Sequence, residues 1–342
     1  MPKDDPEWRF ALGASPEIRG FIIKVSADSG LVGLGYTSGA SHMGSSLGGI
    51  RAALEEYTEL LKGQDPFDTE RLFGILDDTL SGNNEAKAAI DMALYDLRAK
   101  ALDLPVYALL GGKVREEISV IRLLAIKEPL QMAMNALRLV EQGYSYIKIK
   151  LEGEPAKDLD RVKEIRRAVG DSIHLTIDAN QSYTPKVAID TLKRMYQYGI
   201  ESAEQPVRAN DWQGLAAVTQ AVDCLVEAHE SARTVEDIFR LVKDRVIDSI
   251  NLSIVNVGGL RNAKVAAAIC KLGNVSCRVQ GIGSRILSAA SMHFVASTLN
   301  ISYACEVGEF SRFLNDPAEG LEVDHGKLKV PSLPGIGVSL RS

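Results

Sequence analysis

The sequence predicts a two-part α/β protein, in which a smaller α+β unit precedes a closed parallel barrel. Three observations carry this reading. From residue 118 onward, short apolar strands alternate with helical stretches at intervals of roughly 25 residues, the length of one strand–helix unit. Eight such strands occur, enough to close a barrel. No Gly-rich turn follows the first of them, as the alternative, an open doubly wound sheet, would require. The residues before 118 lack this rhythm and open with a hairpin pattern instead.

In chain order, 20–36 ("GFIIKVSADSGLVGLGY") reads as two strands joined at Asp28-Ser29-Gly30. The segment 37–49 ("TSGASHMGSSLGG") is rich in Gly and Ser but lacks the Gly-Lys-Ser/Thr of a phosphate loop, so it reads as a lid or substrate loop. A helix is expected over 84–104, ended by Pro105. The eight barrel strands are placed at 119–126, 146–150, 174–180, 202–206, 224–230, 249–254, 276–281 and 301–309. Domain limits follow as 1–115, 116–312 and a tail, 313–342, returning to the first unit.

Composition excludes several classes. The chain has 342 residues, 46% hydrophobic and 25% charged, with a net charge of −6 and no basic run, which argues against nucleic acid. No apolar run reaches membrane length and no signal peptide opens the chain, so the cytoplasm is the expected compartment. Cys224, Cys270, Cys277 and Cys305 have no metal-type spacing and are expected as buried thiols.

Barrel strands bury their outer face under helices, so that face must be apolar. In "YIKIK" (146–150), Ile147 and Ile149 therefore face out, and Lys148 and Lys150 face in. In the third strand Thr176, Asp178 and Asn180 face in, and Glu204 ends the fourth. Two carboxylates at equal height on adjacent strands can share a divalent cation, and hard oxygen donors suit Mg2+. The C-terminal end of barrel strands is where chemistry is sited.

These pieces, "KIK" (148–150), "DAN" (178–180), "EQP" (204–206), "GGL" (258–260) and "PGIGV" (334–338), with the helix around 88–112, resemble the mandelate racemase and muconate-lactonising branch of the enolase superfamily. The resemblance implies a modified TIM barrel, (β/α)7β, with an α+β capping domain. It also implies Mg2+ held by three acidic residues, a small carboxylate substrate, and a homo-oligomer between dimer and octamer. By family position Lys150 would abstract the proton α to the carboxylate, with Lys148 its helper.

The pattern departs from the family in two places. Where the muconate-lactonising subgroup has Ala-Asp-Glu-Ser, this chain has Ala228-His229-Glu230-Ser231. One register turns His229 to the metal, with Leu225 and Glu227 in the lumen; it would make Mn2+ the better ion. The other uses Glu230, the harder donor, and turns Glu227 and His229 toward the helices. The adopted expectation is Asp178, Glu204 and Glu230 as ligands, with His229 beside them as an orienting or acid/base group. The second departure is Ser253, which occupies the place of the subgroup's sixth-strand Lys. Arg278 or Gln280 occupies that of mandelate racemase's His.

With bases on one side only, one-base β-elimination or cycloisomerisation is the expected reaction. A racemase using His229, or a barrel that only binds ligand, are the alternatives. Substrate contacts are expected from Ser253, Asn180, Arg278, Gln280 and Glu306, with Arg278 paired to Glu306 as the competing role for both. From the cap, Trp8, Phe10, His42 and Met43 in segments 8–16 and 37–46 are expected to reach the substrate.

Overall fold

The computed structural model describes residues 1–301 and 304–341. Seven parallel strands lie side by side in chain order: Ile121–Leu124, Tyr146–Lys150, His174–Asp178, Ile200–Glu204, Leu225–Ala228, Ser249–Ser253 and Ser276–Gln280. The eighth predicted strand runs over 302 and 303, outside the described residues. Its remainder joins the two sheet edges: Cys305 bridges Val120 and Glu306 bridges Gln280, both in parallel. The sheet thus curls into the barrel expected.

The alternation that closes the barrel is visible residue by residue. Ile147, Ile149, Leu175, Ile177, Val226, Ala228, Ile250 and Val279 are wholly buried and belong to one continuous core beneath the helices. Each large aliphatic side chain among them contributes about 1.5–3 kcal/mol by leaving water. Helices start where the sequence permits: Pro129, Pro155 and Pro185 occupy first helical positions, where a missing N–H costs nothing. The helix Val235–Lys243 begins with a capping box between Thr234 and Asp237.

The expected hairpin is present as Gly20–Ser26 and Val32–Ser38, turning through Gly30 at φ 82°. A helix, Asn84–Ala101, lies across the second strand at backbone contact. A Cβ at Gly35 would stand 1.8 Å from the Ala89 carbonyl oxygen, and one at Gly33 2.0 Å from that of Ala93. This helix ends earlier than expected: Asp103, at φ 55°, turns the chain before Pro105 is reached. Leu34, Tyr36, Ala88 and Met92 share the barrel's core, while Tyr57, Leu72, Phe73, Leu76 and Ile90 form a second one.

Three segments converge on Asp96. Its carboxylate accepts from Leu34 N and Ile336 N, both at 2.8 Å, and from Lys100 Nζ at 2.7 Å. The tail therefore reaches the hairpin and helix through residue 336. The first residues, which have no strand pattern, are bridged on both sides, Pro2 with Glu17 and Lys3 with Phe313. Cys224, Cys270, Cys277 and Cys305 are all buried, as expected. No helix among the described residues is long and apolar enough to cross a membrane.

Candidate active site

Ladder register sets the height of each charged group. Lys150 pairs with Asp178, Asp178 with Glu204, and Glu204 with Glu227, so one row crosses four strands. A register shift between Leu175 and Ile177 brings Asp178 level with Glu204. All four side chains are buried.

Lys148 Nζ donates to Glu204 Oε2 and Glu306 Oε1 and lies 3.6 Å from Glu227 Oε2. Burial disfavours its charge, but Glu204, Glu306 and Glu227 together raise its pKa above the ordinary lysine value. Asn251 Nδ2 donates to the same two carboxylates, at 3.0 Å to Glu204 and 2.9 Å to Glu306. Lys150 Nζ donates to Asp178 Oδ2 and, at 3.2 Å, to Asn180 Oδ1. Its pKa is also raised: burial opposes the shift, and Asp178 and Glu204 drive it.

On the fifth strand the structure corrects an expectation. Glu227 and His229 turn into the barrel, not toward the helices as the Glu230 register required. Val226 and Ala228 fill the helix-facing positions, where an ionised Glu227 would have no partner. Inside, Glu227 has Lys148 and, at 3.6 Å, Arg278. His229 Nδ1 is 2.9 Å from the Asn251 carbonyl, and Glu204 and Glu230 raise its pKa against the effect of burial. Glu230, just past the strand, also enters the site, because Asn180 Nδ2 donates to its Oε1 at 3.1 Å.

The donor set suits a hard divalent cation. Glu230 Oε2 is buried and has no hydrogen-bond partner among the described residues, and burial followed by Asp178 pushes its carboxyl up to about 7. Surplus buried negative charge with an open carboxylate oxygen is what a cation relieves. Among the described residues no three such groups already stand as a ready coordination sphere, since Lys148 and Lys150 are bonded to Glu204 and Asp178.

A cavity of about 360 Å3 opens above this floor. Of the expected site residues, Lys150, Asp178, Asn180, His229, Ser253, Gln280, His42 and Trp8 line it. Phe10 and Met43 line it too, and Phe10 meets His42 edge-on at 5.4 Å between ring centres. Burial, then the charges of His229 and Lys150, lower His42 to about 4.

Lys148, Glu204, Glu230, Arg278 and Glu306 are buried and are not among the cavity's described lining residues. Arg278 Nη1 donates to Thr176 Oγ1 at 3.3 Å, and its charge is favoured by Glu227 and Glu306. Two participants went unassigned by sequence: Asn251, which ties Glu204 to Glu306, and Glu227, whose charge showed only once the register was fixed.

A parallel barrel with buried lysines and carboxylates at the C-terminal ends of its strands is the architecture of a barrel enzyme. The family comparisons make this specific. The "Enolase C-terminal domain-like" family matches residues 131–342, and "Mandelate racemase / muconate lactonizing enzyme, N-terminal domain" matches 4–111. The chain belongs to this mandelate racemase/muconate-lactonising branch of the enolase superfamily and is an enzyme of that isomerase type.

Among its relatives is the hydrophobic dipeptide epimerase of Enterococcus faecalis, 35% identical over 297 residues, covering 86% of this chain and 84% of the relative. Chloromuconate cycloisomerase CbnB of Cupriavidus necator is 31% identical over 329 residues, covering 93% and 88%. A solved dipeptide epimerase from Enterococcus faecalis, complexed with Mg and L-Leu-L-Tyr, superposes with a TM-score of 0.93 at 33% identity, covering 97% and 95%.

Proposed function

We propose that this enzyme removes the proton α to the carboxylate of a small acid from one face, with Lys150 as base and Lys148 as its charged neighbour. The carrying observation is the asymmetry of the cavity. Lys150 enters from the second strand, whereas the sixth strand presents Ser253, a hydroxyl that cannot act as a base near neutral pH without activation. One-base β-elimination or cycloisomerisation follows. Residues 1–115 act as the cap in this reading, with Trp8 and His42 above the substrate, and the tail completes it.

Asp178, Glu204 and Glu230 would hold Mg2+, a reading supported by the Mg-bound relative and by the open oxygen on Glu230. When bound, the ion supplies positive charge against the substrate carboxylate and offsets the carboxylates that keep Lys150 protonated. Lys150 then holds the abstracted proton at Nζ, 3.2 Å from Asn180 Oδ1, and can return it to the same face. Lys148, fixed between Glu204 and Glu306, keeps its charge throughout and disfavours protonation of its neighbour.

Lys150→Met with Mg2+ present should abolish solvent deuterium exchange at the α-carbon of a bound acid while leaving the fold intact. Exchange persisting at the wild-type rate removes Lys150 as base.

A second reading, epimerisation, is favoured by the epimerase relatives and by His229 in the cavity wall. In D2O it would place deuterium in the inverted enantiomer, whereas the one-face reaction labels only the retained one.

A further inference from the structure

The cavity wall also carries charge that proton abstraction does not use. Lys3 is buried, and its backbone is held between two segments: its N–H donates to Pro16 O at 2.8 Å, and Asp4 N donates to Arg312 O at 2.8 Å. Its ammonium donates to Ser15 O at 2.6 Å and Ser15 Oγ at 3.0 Å, two neutral acceptors. Among the described residues no carboxylate lies within ion-pair distance of it. Lys3 and Arg312 flank the Trp8 ring, at 5.0 and 3.9 Å from its centre, and all three line the cavity.

The local charge does not balance. Glu309 is shared by Arg312, at 2.6 Å, and Arg122, at 3.2 Å. Asp4, half exposed, stands 4.0 Å from Arg122. The charges Lys3 feels are Arg312 and Lys150 on one side and Glu309 and Asp4 on the other, so its own remains uncompensated. Burial, then Arg312, lower it to about 8, and an incoming anion would offset both. The rim pair Arg19 and Glu17, 2.6 Å apart, is self-neutralised. Trp8, Leu123 and Ile282 also line the cavity and form an apolar cluster with Ala125.

The geometry points to a diacid substrate, with one carboxylate at the Lys150 end, an apolar spacer along Trp8, Leu123 and Ile282, and a second carboxylate held by Lys3 beside Arg312. This rests on the proposed reading that the reacting carboxylate sits at the floor. It makes Lys3 a specificity-determining residue, contributing a charge-assisted hydrogen bond where the neighbourhood is short of negative charge.

The test is calorimetric binding of straight-chain α,ω-dicarboxylates of increasing length, against monocarboxylates of equal length, with Mg2+ present. One length of diacid should bind at least about tenfold tighter than its monoacid, the order of one charge-assisted contact. Lys3→Met should erase that preference and leave monoacid binding unchanged, which also shows the fold is intact; Lys3→Arg should keep it. Diacids binding no tighter than monoacids at any length, or a preference that survives Lys3→Met, overturns the inference. A wild-type protein that shows the preference but exchanges no α-proton supports the diacid site and sinks the abstraction reading instead.

Discussion

Asn180 holds Glu230: its side-chain amide donates to Glu230 Oε1 at 3.1 Å, while its own carbonyl accepts from Lys150 at 3.2 Å. One residue just beyond the third strand, at φ 42°, thereby fixes the proposed base and a proposed metal ligand together. Asn tolerates this left-handed backbone better than most residues, and its amide offers a donor and an acceptor at once.

Asn180→Ala should therefore act twice. Glu230 loses its donor and Lys150 an acceptor, costing about 1–3 kcal/mol of stability. In the proposed reading, Mg2+ affinity should fall about 10–100-fold, because Glu230 is no longer oriented. Thermal melting and metal titration of the same variant check both; unchanged metal affinity would separate Asn180 from the cation site.

Ser253→Lys places an amine on the cavity face opposite Lys150. Wild type should label only the retained enantiomer in D2O, and the variant should add label to the inverted one. Chiral separation of recovered substrate followed by mass analysis gives the answer. Inversion already present in wild type would favour the epimerase reading.

Stability should also depend on Asp91, which caps the helix Leu260–Leu272 by accepting from Leu260 N at 2.5 Å and Arg261 N at 3.4 Å. Burial raises its carboxyl to about 7, against the lowering by those two N–H groups. A raised carboxyl pKa gives stability that is complete below the unfolded value, 3.8, and lost as pH climbs through about 7. Asp91→Asn keeps an acceptor and cannot ionise. The melting temperature of wild type minus that of the variant should therefore drift against wild type across this window, by the order of a few kcal/mol when converted. A pH-independent difference would contradict it.

Gly35→Ala should destabilise by about 1–3 kcal/mol or more, since the new methyl meets the Ala89 carbonyl and the helix must move off the strand. Chemical denaturation measures this, and a wild-type midpoint would mean the helix sits farther away than described.

The barrel was legible because burial on both faces of a strand leaves a strict signature. In "YIKIK" and "HLTID" the outward positions admit only aliphatic side chains, so the lumenal Lys148, Lys150, Thr176 and Asp178 follow by alternation. The fifth strand was harder, since "VEAHE" puts polar Glu227 and His229 on one face and then polar Glu230 directly after. Glu227 and His229 share one face, and the partners that make it the inner one, Lys148 and Asn251, come from other strands. Glu230 escapes the alternation because the strand has already ended at Ala228. Lys3 carried no local signal at all: nothing in a short polar segment announces that chain from residues 16 and 312 will enclose it. Arg278 was legible as lumenal, but its contacts, Glu227 and Thr176, come from other strands.

Asp96 gathers donors from residues 34, 100 and 336. During synthesis residue 336 emerges long after the other two, so until then the nascent chain carries a carboxylate one donor short. Consolidation of the N-terminal layer is thereby deferred until the barrel has been made, and a chain cut short before residue 336 would leave that layer, made first, as the part still waiting to set.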